Sequence, residues 1–352
     1  MKKKNSFIYI FLIIFFIISI TTIYSAQGIL ANSYKNLYIK QIIWYLIGFI
    51  IMFLIKKIGK AYFYKIVFFF YIILNILLLG LLFFGKYVNG ARCWYNIFGF
   101  GFQPSEFMKI VLIILNSLIV NNYNKNPQND FGLIIKLFII TLIPSILTFL
   151  EPDTGNVIIY LIIMISYLFI AKINYKWYIY FFLIILFFIL SLIILYYYFN
   201  SIFIKIFGSF SLRLNRILSW KNSSGYQFEN GIASIGSSFI FGHGFRNTPL
   251  YFPEAGTDYI FAVFASNYGF IGSLFLIILI TIFDIKLVNL AFKKHGCTKY
   301  LIVGLVSMLL YQQLQNIGMT LGLVPITGIT LPFISYGGSS LISYFILLGL
   351  CT

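Results

Sequence analysis

The sequence predicts an all-α polytopic integral membrane protein with about ten transmembrane helices. Of its 352 residues, 61% are hydrophobic and only 9% are charged, whereas a soluble domain carries about 25% charged residues. Apolar runs close to the roughly 20 residues that a helix needs to cross the hydrocarbon recur along the chain. The alternating segments of about 10 residues that indicate a transmembrane β-barrel are absent.

Ten apolar segments follow one another along the chain. The first comes after MKKKNS and lacks an obvious small-residue cleavage site, so we interpret it as a retained helix rather than a signal peptide. No linker or internal repeat divides the chain, which predicts a single domain over residues 1–352. The predicted spans are 7–25, 38–55, 62–84, 104–121, 131–149, 155–171, 176–198, 258–283, 298–319 and 333–350.

The lysines predict the orientation of these spans. They collect before the first span and after the second, fourth, sixth and eighth, and the positive-inside rule makes that side, with both termini, cytoplasmic. The connection 199–257, between the seventh and eighth spans, is then extracytoplasmic, since long loops translocate largely regardless of charge. Topology and contact with anionic membrane lipids account for the net charge of +17, and no nucleic-acid-binding pattern is present.

The acidic residues sort to the opposite face. A chain that needed acids only for solubility would spread them over both sides of the membrane. The outer side is therefore where we look for chemistry. Six of the eight acids lie there: Glu106, Glu151, Asp153, Glu229, Glu254 and Asp258.

The segment 89–109 reads NGARCWYNIFGFGFQPSEFMK. Arg92 and Trp94 form a basic–aromatic pair at the outer interface, where a tryptophan is as typical of a simple interfacial anchor as of a binding site. Glu106 and Lys109 are one turn apart on a helix that should enter the bilayer. They could merely neutralise each other, but charges inside a membrane are costly enough that we favour a functional interpretation.

Two further outer segments have both structural and functional interpretations. The acids of EPDTGN, 151–156, suit a helix N-terminus; they could also bind a divalent cation, although no motif requires one. Arg213 and Arg216 are one turn apart on a predicted short amphipathic helix of the long loop. Contact with lipid headgroups is the alternative to substrate binding there.

The stretch PEAGTDYIFA, 253–262, brings two carboxylates to the mouth of an apolar run. Thr257 could cap the helix that begins near Asp258, with Glu254 about one turn earlier. Capping alone explains these acids poorly, because a serine or asparagine would cap without carrying charge to the edge of the hydrocarbon. A carboxylate near low dielectric tends to have a raised pKa, which suits a general base.

Polar and helix-breaking residues interrupt the last two spans. The segment 316–340 contains two prolines and five glycines and ends in a run that starts at Ser335. Irregular backbone at membrane depth is tolerated only where it is buried in protein or lines a cavity. With Gln313 and Asn316 at the same level, the pattern predicts a polar cavity that opens outward and binds substrate.

These motifs resemble one known family. PITGITLPFISYGGSS, PEAGTDYIFA and GARCWYNIFGFGFQPSEFMK are similar to three signatures of the SEDS family, the RodA, FtsW and SpoVE proteins, and EPDTGN stands where its QPD-like motif lies. The resemblance runs from about residue 7 to the C-terminus. The stretches PSEFMK and LPFISYGGSS are slightly closer to RodA than to FtsW.

The resemblance implies ten transmembrane helices and a peptidoglycan glycosyltransferase of the bacterial cytoplasmic membrane. Members of the family polymerise lipid II into glycan strands on the outer side, each with a class B penicillin-binding protein as transpeptidase, and no cofactor is certain. The family's essential aspartate corresponds to Asp258, its conserved tryptophan to Trp94, and its PSE-x-x-K pair to Glu106 and Lys109.

The chain departs from the family pattern at four places. Gly256 replaces a histidine, Cys93 replaces an arginine, and Glu151 replaces the glutamine of the QPD-like motif. An acidic pair that usually follows the aspartate motif is lost at Ser266–Tyr268. Roles of those missing side chains do not carry over, whereas Asp258 itself is unchanged.

The expected reaction uses Asp258 as general base on the 4-hydroxyl of an acceptor sugar, which attacks the anomeric carbon of a lipid-pyrophosphate donor. The departing pyrophosphate is an anion, so we expect cations beside it: Arg92, Lys109, Arg213 and Arg216. Two alternatives are a lipid II flippase, which should need polar groups through the full membrane depth, and a non-catalytic scaffold that recruits a penicillin-binding protein.

Overall fold

The computed structural model describes residues 6–30, 36–88, 91–97, 100–127, 129–198 and 225–352. Arg213 and Arg216 lie outside these residues, as does the first part of the 199–257 loop. Within them are eleven helices: α1 (Ser6–Ala26), α2 (Leu37–Ile58), α3 (Lys60–Phe84), α4 (Pro104–Tyr123), α5 (Asp130–Leu150), α6 (Thr154–Ile170), α7 (Lys176–Tyr198), α8 (Tyr226–Gly236), α9 (Ile260–Lys293), α10 (Cys297–Thr320) and α11 (Gly338–Cys351).

The described helices coincide with the ten predicted apolar segments, and α8 is an additional short helix. Six of them, α1 to α5 and α9, are long and apolar enough to cross a membrane, and α6 and α11 are shorter apolar helices. One buried apolar core runs from Ile8 in α1 to Cys351 in α11. The chain is therefore a helical multi-pass membrane protein.

The predicted all-α class needs one correction, because a small antiparallel sheet follows α3. Its strands are β1 (Lys86–Val88), β2 (Ala91–Ile97) and β3 (Phe100–Phe102), in the order β1-β2-β3. The sequence does carry a signal for it, since Asn-Gly between two short strands is the strongest short-range hairpin signal. The sheet forms most of the connection between α3 and α4, and its strand pairing positions the β2 side chains.

The eighth predicted span, 258–283, is also corrected. Helix α9 begins at Ile260 and ends at Lys293. Asp284, the residue after the predicted span, is therefore inside a helix. It is buried and accepts a hydrogen bond from Gln313 Nε2 of α10 at 3.4 Å.

A glycine pair fixes a kink in α9. Gly269 leaves the helical conformation at φ 66°, and Gly242 in the preceding loop has φ 81°. A Cβ on Gly269 would lie 2.4 Å from the Gly242 nitrogen, so only glycine permits this approach. The main chain then pairs across it, with Phe270 N donating to Phe239 O at 3.0 Å. This contact fastens the loop before Glu254 to the outer part of α9.

The second half of the irregular segment 321–337, from Ile329 to Ser335, is largely buried in protein, whereas Leu321 and Leu323 in its first half are exposed. Helix α11 begins only at Gly338, later than the predicted span 333–350. Side chains of α1 and α2 satisfy the backbone carbonyls of the segment, which makes non-helical chain tolerable at this depth. The donors are Ser19 Oγ to Ile334 O (2.8 Å), Gln41 Nε2 to Ser335 O (3.1 Å) and Tyr45 Oη to Phe333 O (2.5 Å).

Candidate functional site

A polar cleft of about 510 Å³ lies at one end of the helical bundle. Its walls come from the first turns of α2, α4 and α6, strand β2, and the segments 254–258 and 327–340. Ionisable and aromatic side chains on these walls are Lys40, Trp94, Glu106, Asp153, Glu254 and Asp258. Three segments that are far apart in sequence thus deliver four carboxylates to one space.

A turn at residues 254–259 presents Asp258 to the cleft. Thr257 N and Tyr259 N both donate to Glu254 O, at 3.1 and 3.0 Å, and Glu254 adopts φ 55°. A left-handed conformation costs a non-glycine residue on the order of 1–2 kcal/mol, so surrounding contacts must hold the turn in place.

The expected capping role of Thr257 is wrong. Helix α9 has Tyr259 as its N-cap residue, without a side-chain cap bond. Thr257 Oγ1 instead donates to Glu254 Oε2 at 2.6 Å. The threonine therefore orients the neighbouring carboxylate in the cleft, because that hydrogen bond fixes the position of Glu254 relative to Asp258.

Two predicted substrate-binding residues support the turn from behind. Asn316 is buried, and its Nδ2 donates to Asp258 O at 2.8 Å and to Ile329 O at 2.7 Å. Ser335 Oγ donates to Thr257 O at 2.7 Å. Neither residue lines the cleft. Both bind the main chain of the turn, so in the structure they position Asp258.

Gln313 is likewise absent from the cleft wall, and Gln312 lines it instead. Successive residues on an α-helix point about 100° apart, so only one of this adjacent pair can face the cleft. Gln313 turns toward α9 and donates to Asp284. The expected position of Gln313 is therefore corrected by one residue.

Glu106 and Lys109 form a buried ion pair under the cleft. Glu106 Oε2 is 2.6 Å from Lys109 Nζ. Glu106 reaches the cleft wall, whereas Lys109 is fully buried one turn deeper in α4. This ion pair is the arrangement expected if the two charges neutralise each other, and it places one carboxylate of fixed position beside the cleft. The favoured functional role of the pair stays a prediction.

Asp153 is both a helix cap and the centre of a hydrogen-bond network. Its Oδ1 accepts from Asn156 N at 3.1 Å, which caps α6. Its Oδ2 accepts from Asn156 Nδ2 at 2.7 Å, from Gln103 Nε2 at 3.0 Å and from Ser105 Oγ at 3.3 Å. These hydrogen bonds join α4 to α6 through the Asp153 side chain.

The two predicted substrate-binding residues of β2, Trp94 and Arg92, lie in different places. Trp94 is 37% exposed and lines the cleft. Arg92 does not line it, since its Nη1 donates to Leu82 O at 2.9 Å. A guanidinium at the last turn of α3 donates to a free helix carbonyl and interacts favourably with the negative end of the helix dipole. The expected contact of Arg92 with substrate is thereby corrected to a helix-end contact.

The cleft does not offer a dense metal site. Among the described residues, no group of three or more His, Cys, Asp or Glu side chains could hold a metal ion. A divalent cation could still be held between a substrate pyrophosphate and fewer carboxylates, so the expectation stays untested.

A family model described as Cell cycle protein, for FtsW, RodA and SpoVE, matches residues 5–352. The chain belongs to this family. FtsW of Wigglesworthia glossinidia brevipalpis, named a probable peptidoglycan glycosyltransferase, is 34% identical over 288 residues, which are 78% of this chain and 72% of the relative. Stage V sporulation protein E of Bacillus subtilis is 29% identical over 289 residues, 77% of this chain and 72% of the relative.

Solved structures have the same fold. A chain from a study of how a peptidoglycan synthase complex coordinates polymerization and crosslinking has a TM-score of 0.74 at 24% identity, over 97% of this chain and 95% of that one. The rod shape determining protein RodA of Thermus thermophilus has a TM-score of 0.69 at 22% identity, over 99% of this chain and 96% of its own. The relatives therefore include both FtsW and RodA names, and the slight preference for RodA stays a prediction.

Sequence reasoning missed two cleft residues of this FtsW/RodA/SpoVE chain, Lys40 and Trp44 of α2. A signal for Lys40 was available. It lies at the start of a predicted span whose other end carries Lys56 and Lys57, so the predicted topology places this cation on the outer side, against the charge bias of the connections. A lysine in that position suggests an anionic ligand.

Two departures from the family pattern touch each other in space. Cys93 Sγ donates to Glu151 O at 3.3 Å, and both residues are buried. The Glu151 carboxylate oxygens have no hydrogen-bond partner among the described residues. Burial, together with a smaller contribution from the nearby Asp153 charge, raises the pKa of the Glu151 carboxyl to about 9. Glu151 is therefore protonated at neutral pH. In that form it is uncharged, like the glutamine that stands at this position in the family pattern.

We expect Glu151→Gln to change the pH dependence of stability. A glutamate has a pKa of about 4.3 when unfolded, and here about 9 when folded. Folding therefore takes up a proton between these values, and the free energy of unfolding falls as the pH rises through that window. The variant should match wild type near pH 4 and become progressively more stable than wild type up to about pH 9.

Thermal unfolding of both proteins in detergent across this pH range checks the expectation. Glu229→Gln, at an exposed glutamate of α8, is the matched control and should retain the wild-type profile. Parallel profiles for wild type and Glu151→Gln would show that Glu151 is ionised in the folded protein.

Proposed function

We propose that this chain is a peptidoglycan glycosyltransferase that polymerises lipid II, with Asp258 as the general base. The observation that carries the proposal is the position of Asp258 on the wall of a polar cleft that also holds Lys40, Trp94 and Glu106. The name printed for the FtsW relatives, peptidoglycan glycosyltransferase, agrees with this chemistry.

In the proposed reaction, the 4-hydroxyl oxygen of the acceptor sugar attacks the anomeric carbon of the donor. The bond between that carbon and the pyrophosphate oxygen breaks, and undecaprenyl pyrophosphate leaves with the electron pair. The hydroxyl proton passes to a carboxylate oxygen of Asp258. For this transfer the carboxylate oxygen must lie within hydrogen-bond distance of the attacking hydroxyl. Asn316 and Ser335 contribute by fixing the main chain that carries Asp258.

A cation should stabilise the departing pyrophosphate. Of the described residues, Lys40 meets this need best, because it lines the cleft on the side of α2. Lys109 is committed to Glu106 and fully buried, and Arg92 contacts the end of α3. The roles of Arg213 and Arg216 stay as predicted from the sequence, and we propose no step that depends on a divalent cation.

The proposal includes a topology. The chain is one domain that crosses the bacterial cytoplasmic membrane ten times, with both termini in the cytoplasm and the 199–257 loop outside. The cleft then faces outward, where the wall is assembled. The lysine distribution supports this orientation, and the site at one end of the bundle supports an enzyme over a flippase, whose polar path would need to run through the membrane.

The proposed partner is a class B penicillin-binding protein that crosslinks the new strands. A structural relative comes from a synthase complex described by polymerization and crosslinking, which supports such a pairing. The RodA-like stretches suggest that the pair acts in elongation rather than division. A labelled copy along the side wall would support elongation, and a labelled copy at the septum would support division.

The test is polymerisation of purified lipid II by the purified chain with its cognate transpeptidase, with the transpeptidase alone as control. We expect glycan strands only when the chain is present. Movement of labelled lipid II across vesicles without strand formation would favour a flippase. Strands of equal amount from the partner alone would favour a scaffold.

Gly328 offers a local test of the cleft geometry. It has φ 71°, and a Cβ there would lie 3.3 Å from Asp258 Oδ2. Gly328→Ala should strain the backbone by about 1 kcal/mol or more and crowd the carboxylate, so we expect it to lower the polymerisation rate. Gly236→Ala, where a Cβ would meet nothing within 4 Å, is the control. Equal rates for both variants would contradict this geometry.

A further inference from the structure

A second cavity, of about 1050 Å³, opens at the end of the bundle opposite the cleft. It lies between the first turn of α1, the connection of α2 to α3, the last turns of α9 and the end of α11. We call it the basal cavity. The cleft is lined by the opposite ends of some of these helices and by neighbouring helices. The two sites therefore share no lining residue.

The basal cavity is strongly cationic. No aspartate or glutamate lines it in the part of the chain that the structure describes, and a terminal carboxylate on Thr352 would offset at most one positive charge. The acids nearest in sequence to its walls do not enter it, since Asp284 accepts from Gln313 inside the bundle. The cations are Lys56, Lys60, Lys286, Lys293 and Lys294.

Several of these lysines are held in position. Lys60 Nζ donates to Thr298 Oγ1. The ammonium groups of Lys56 and Lys286 each lie 5.9 Å from the centre of an aromatic ring of α1, those of Tyr9 and Phe7. Cation–π contact at this distance restrains a flexible lysine. The positive charges are therefore arranged before any ligand binds, which lowers the entropic cost of binding.

Much of the remaining wall is apolar, although Ser6, Asn289 and Thr352 also line it. Phe7, Ile55, Leu290 and Leu350 line the same cavity, and Ile55, Leu290 and Leu350 are largely buried. A free inorganic anion would use the lysines and leave these walls unfilled. A phospholipid fits both parts, because its phosphate meets the ammonium groups while its glycerol and first acyl carbons cover the apolar side chains. The ends of membrane-spanning helices also lie at the depth of lipid headgroups.

We propose that the basal cavity binds an anionic phospholipid from the adjacent leaflet, with the phosphate held by the lysines. Basic pockets between transmembrane helices recognise lipid headgroups by this chemistry. An acidic peptide is less suited, since its extended main chain would leave peptide groups against the apolar wall without hydrogen bonds. The proposal does not depend on the reaction at the cleft.

The test compares lipid binding to three variants of the purified protein in zwitterionic phosphatidylcholine micelles with added phosphatidylglycerol. The cavity variant is Lys60→Gln, Lys286→Gln and Lys294→Gln. The matched control removes three lysines from connections at the same end of the bundle but outside the cavity, as Lys125→Gln, Lys172→Gln and Lys176→Gln. A third variant replaces the same cavity lysines with arginine.

Native mass spectrometry of bound phosphatidylglycerol gives the Kd. Each lysine near a lipid headgroup contributes enough to change the Kd about fivefold, so the cavity variant should bind about a hundredfold more weakly than wild type. The control and the arginine variant should stay near the wild-type value. If the cavity variant does not fold, Lys293→Gln alone is the second variant, with an expected change of about fivefold.

Several results would overturn the proposal. Unchanged binding by the cavity variant or by Lys293→Gln would remove the site, and equal weakening of the control would reduce it to the general charge of that face. Binding of phosphatidylcholine as tight as that of phosphatidylglycerol would exclude anion recognition. Competition by inorganic phosphate at the same concentration as the lipid would identify a free-anion site instead.

Discussion

Asp258→Asn is expected to lower the rate of glycan-strand formation by about 10²- to 10⁴-fold, the usual contribution of a general base. The substitution is nearly isosteric and removes the proton acceptor. The turn at 254–259 should survive, because Asn316 and Ser335 bond to its main-chain carbonyls and its own amides bond to Glu254 O, and the substitution leaves these atoms unchanged. Polymerisation of purified lipid II with the partner transpeptidase measures the effect.

Asp284→Asn is the matched control. It makes the same chemical change at an aspartate that is buried in α9 and lies away from the cleft. We expect it to polymerise lipid II at close to the wild-type rate. Normal strand growth by Asp258→Asn would disprove the base assignment, and equal loss in both variants would point to a general effect of removing buried charge.

Lys109→Met is expected to destabilise the fold by about 3–5 kcal/mol, because removing one partner of a buried ion pair leaves an uncompensated charge. The methionine fills a similar volume, so packing changes little. Glu106→Gln should be destabilising for the same reason, since Lys109 is fully buried and its described ion pair is with Glu106. Unfolding in detergent, followed by temperature or denaturant, measures both changes.

The double variant Glu106→Gln with Lys109→Met provides the decisive comparison. Since neither charge is then left alone, we expect it to recover most of the lost stability, with a coupling that a double-mutant cycle measures directly. If each single change were as stable as wild type, or if the two losses simply added, the pair would not be a coupled buried ion pair.

The helices could be predicted because a bilayer requires apolar segments of a fixed length, and the bounds agree within a few residues for most of them. The sheet at 86–102 was not predicted, although Asn89-Gly90 carries a hairpin signal. Its strands are too short to show a clear alternation, and composition alone directs attention to the helices. The eighth predicted span stops at 283, whereas α9 continues to Lys293 and carries Asp284 buried beside Gln313.

The candidate site could be predicted to the level of its segments and not of every side chain. Four of the six acids that the sequence assigns to the outer face line one cleft, namely Glu106, Asp153, Glu254 and Asp258. The helix phase that separates Gln312 from Gln313 is not visible in an apolar span. Asn316 and Ser335 were correctly recognised as polar groups at this level, but a sequence does not reveal whether their partner is a substrate or the main chain.

The most direct test of the central claim separates binding from chemistry in one preparation of Asp258→Asn. Lipid II binding and single-turnover transfer are measured together, on the protein in complex with its transpeptidase. A general base predicts that binding stays near the wild-type level while the transfer step is lost. Loss of binding with an unchanged transfer rate per bound complex would contradict the account, because Asp258 would then hold the substrate without accepting its proton.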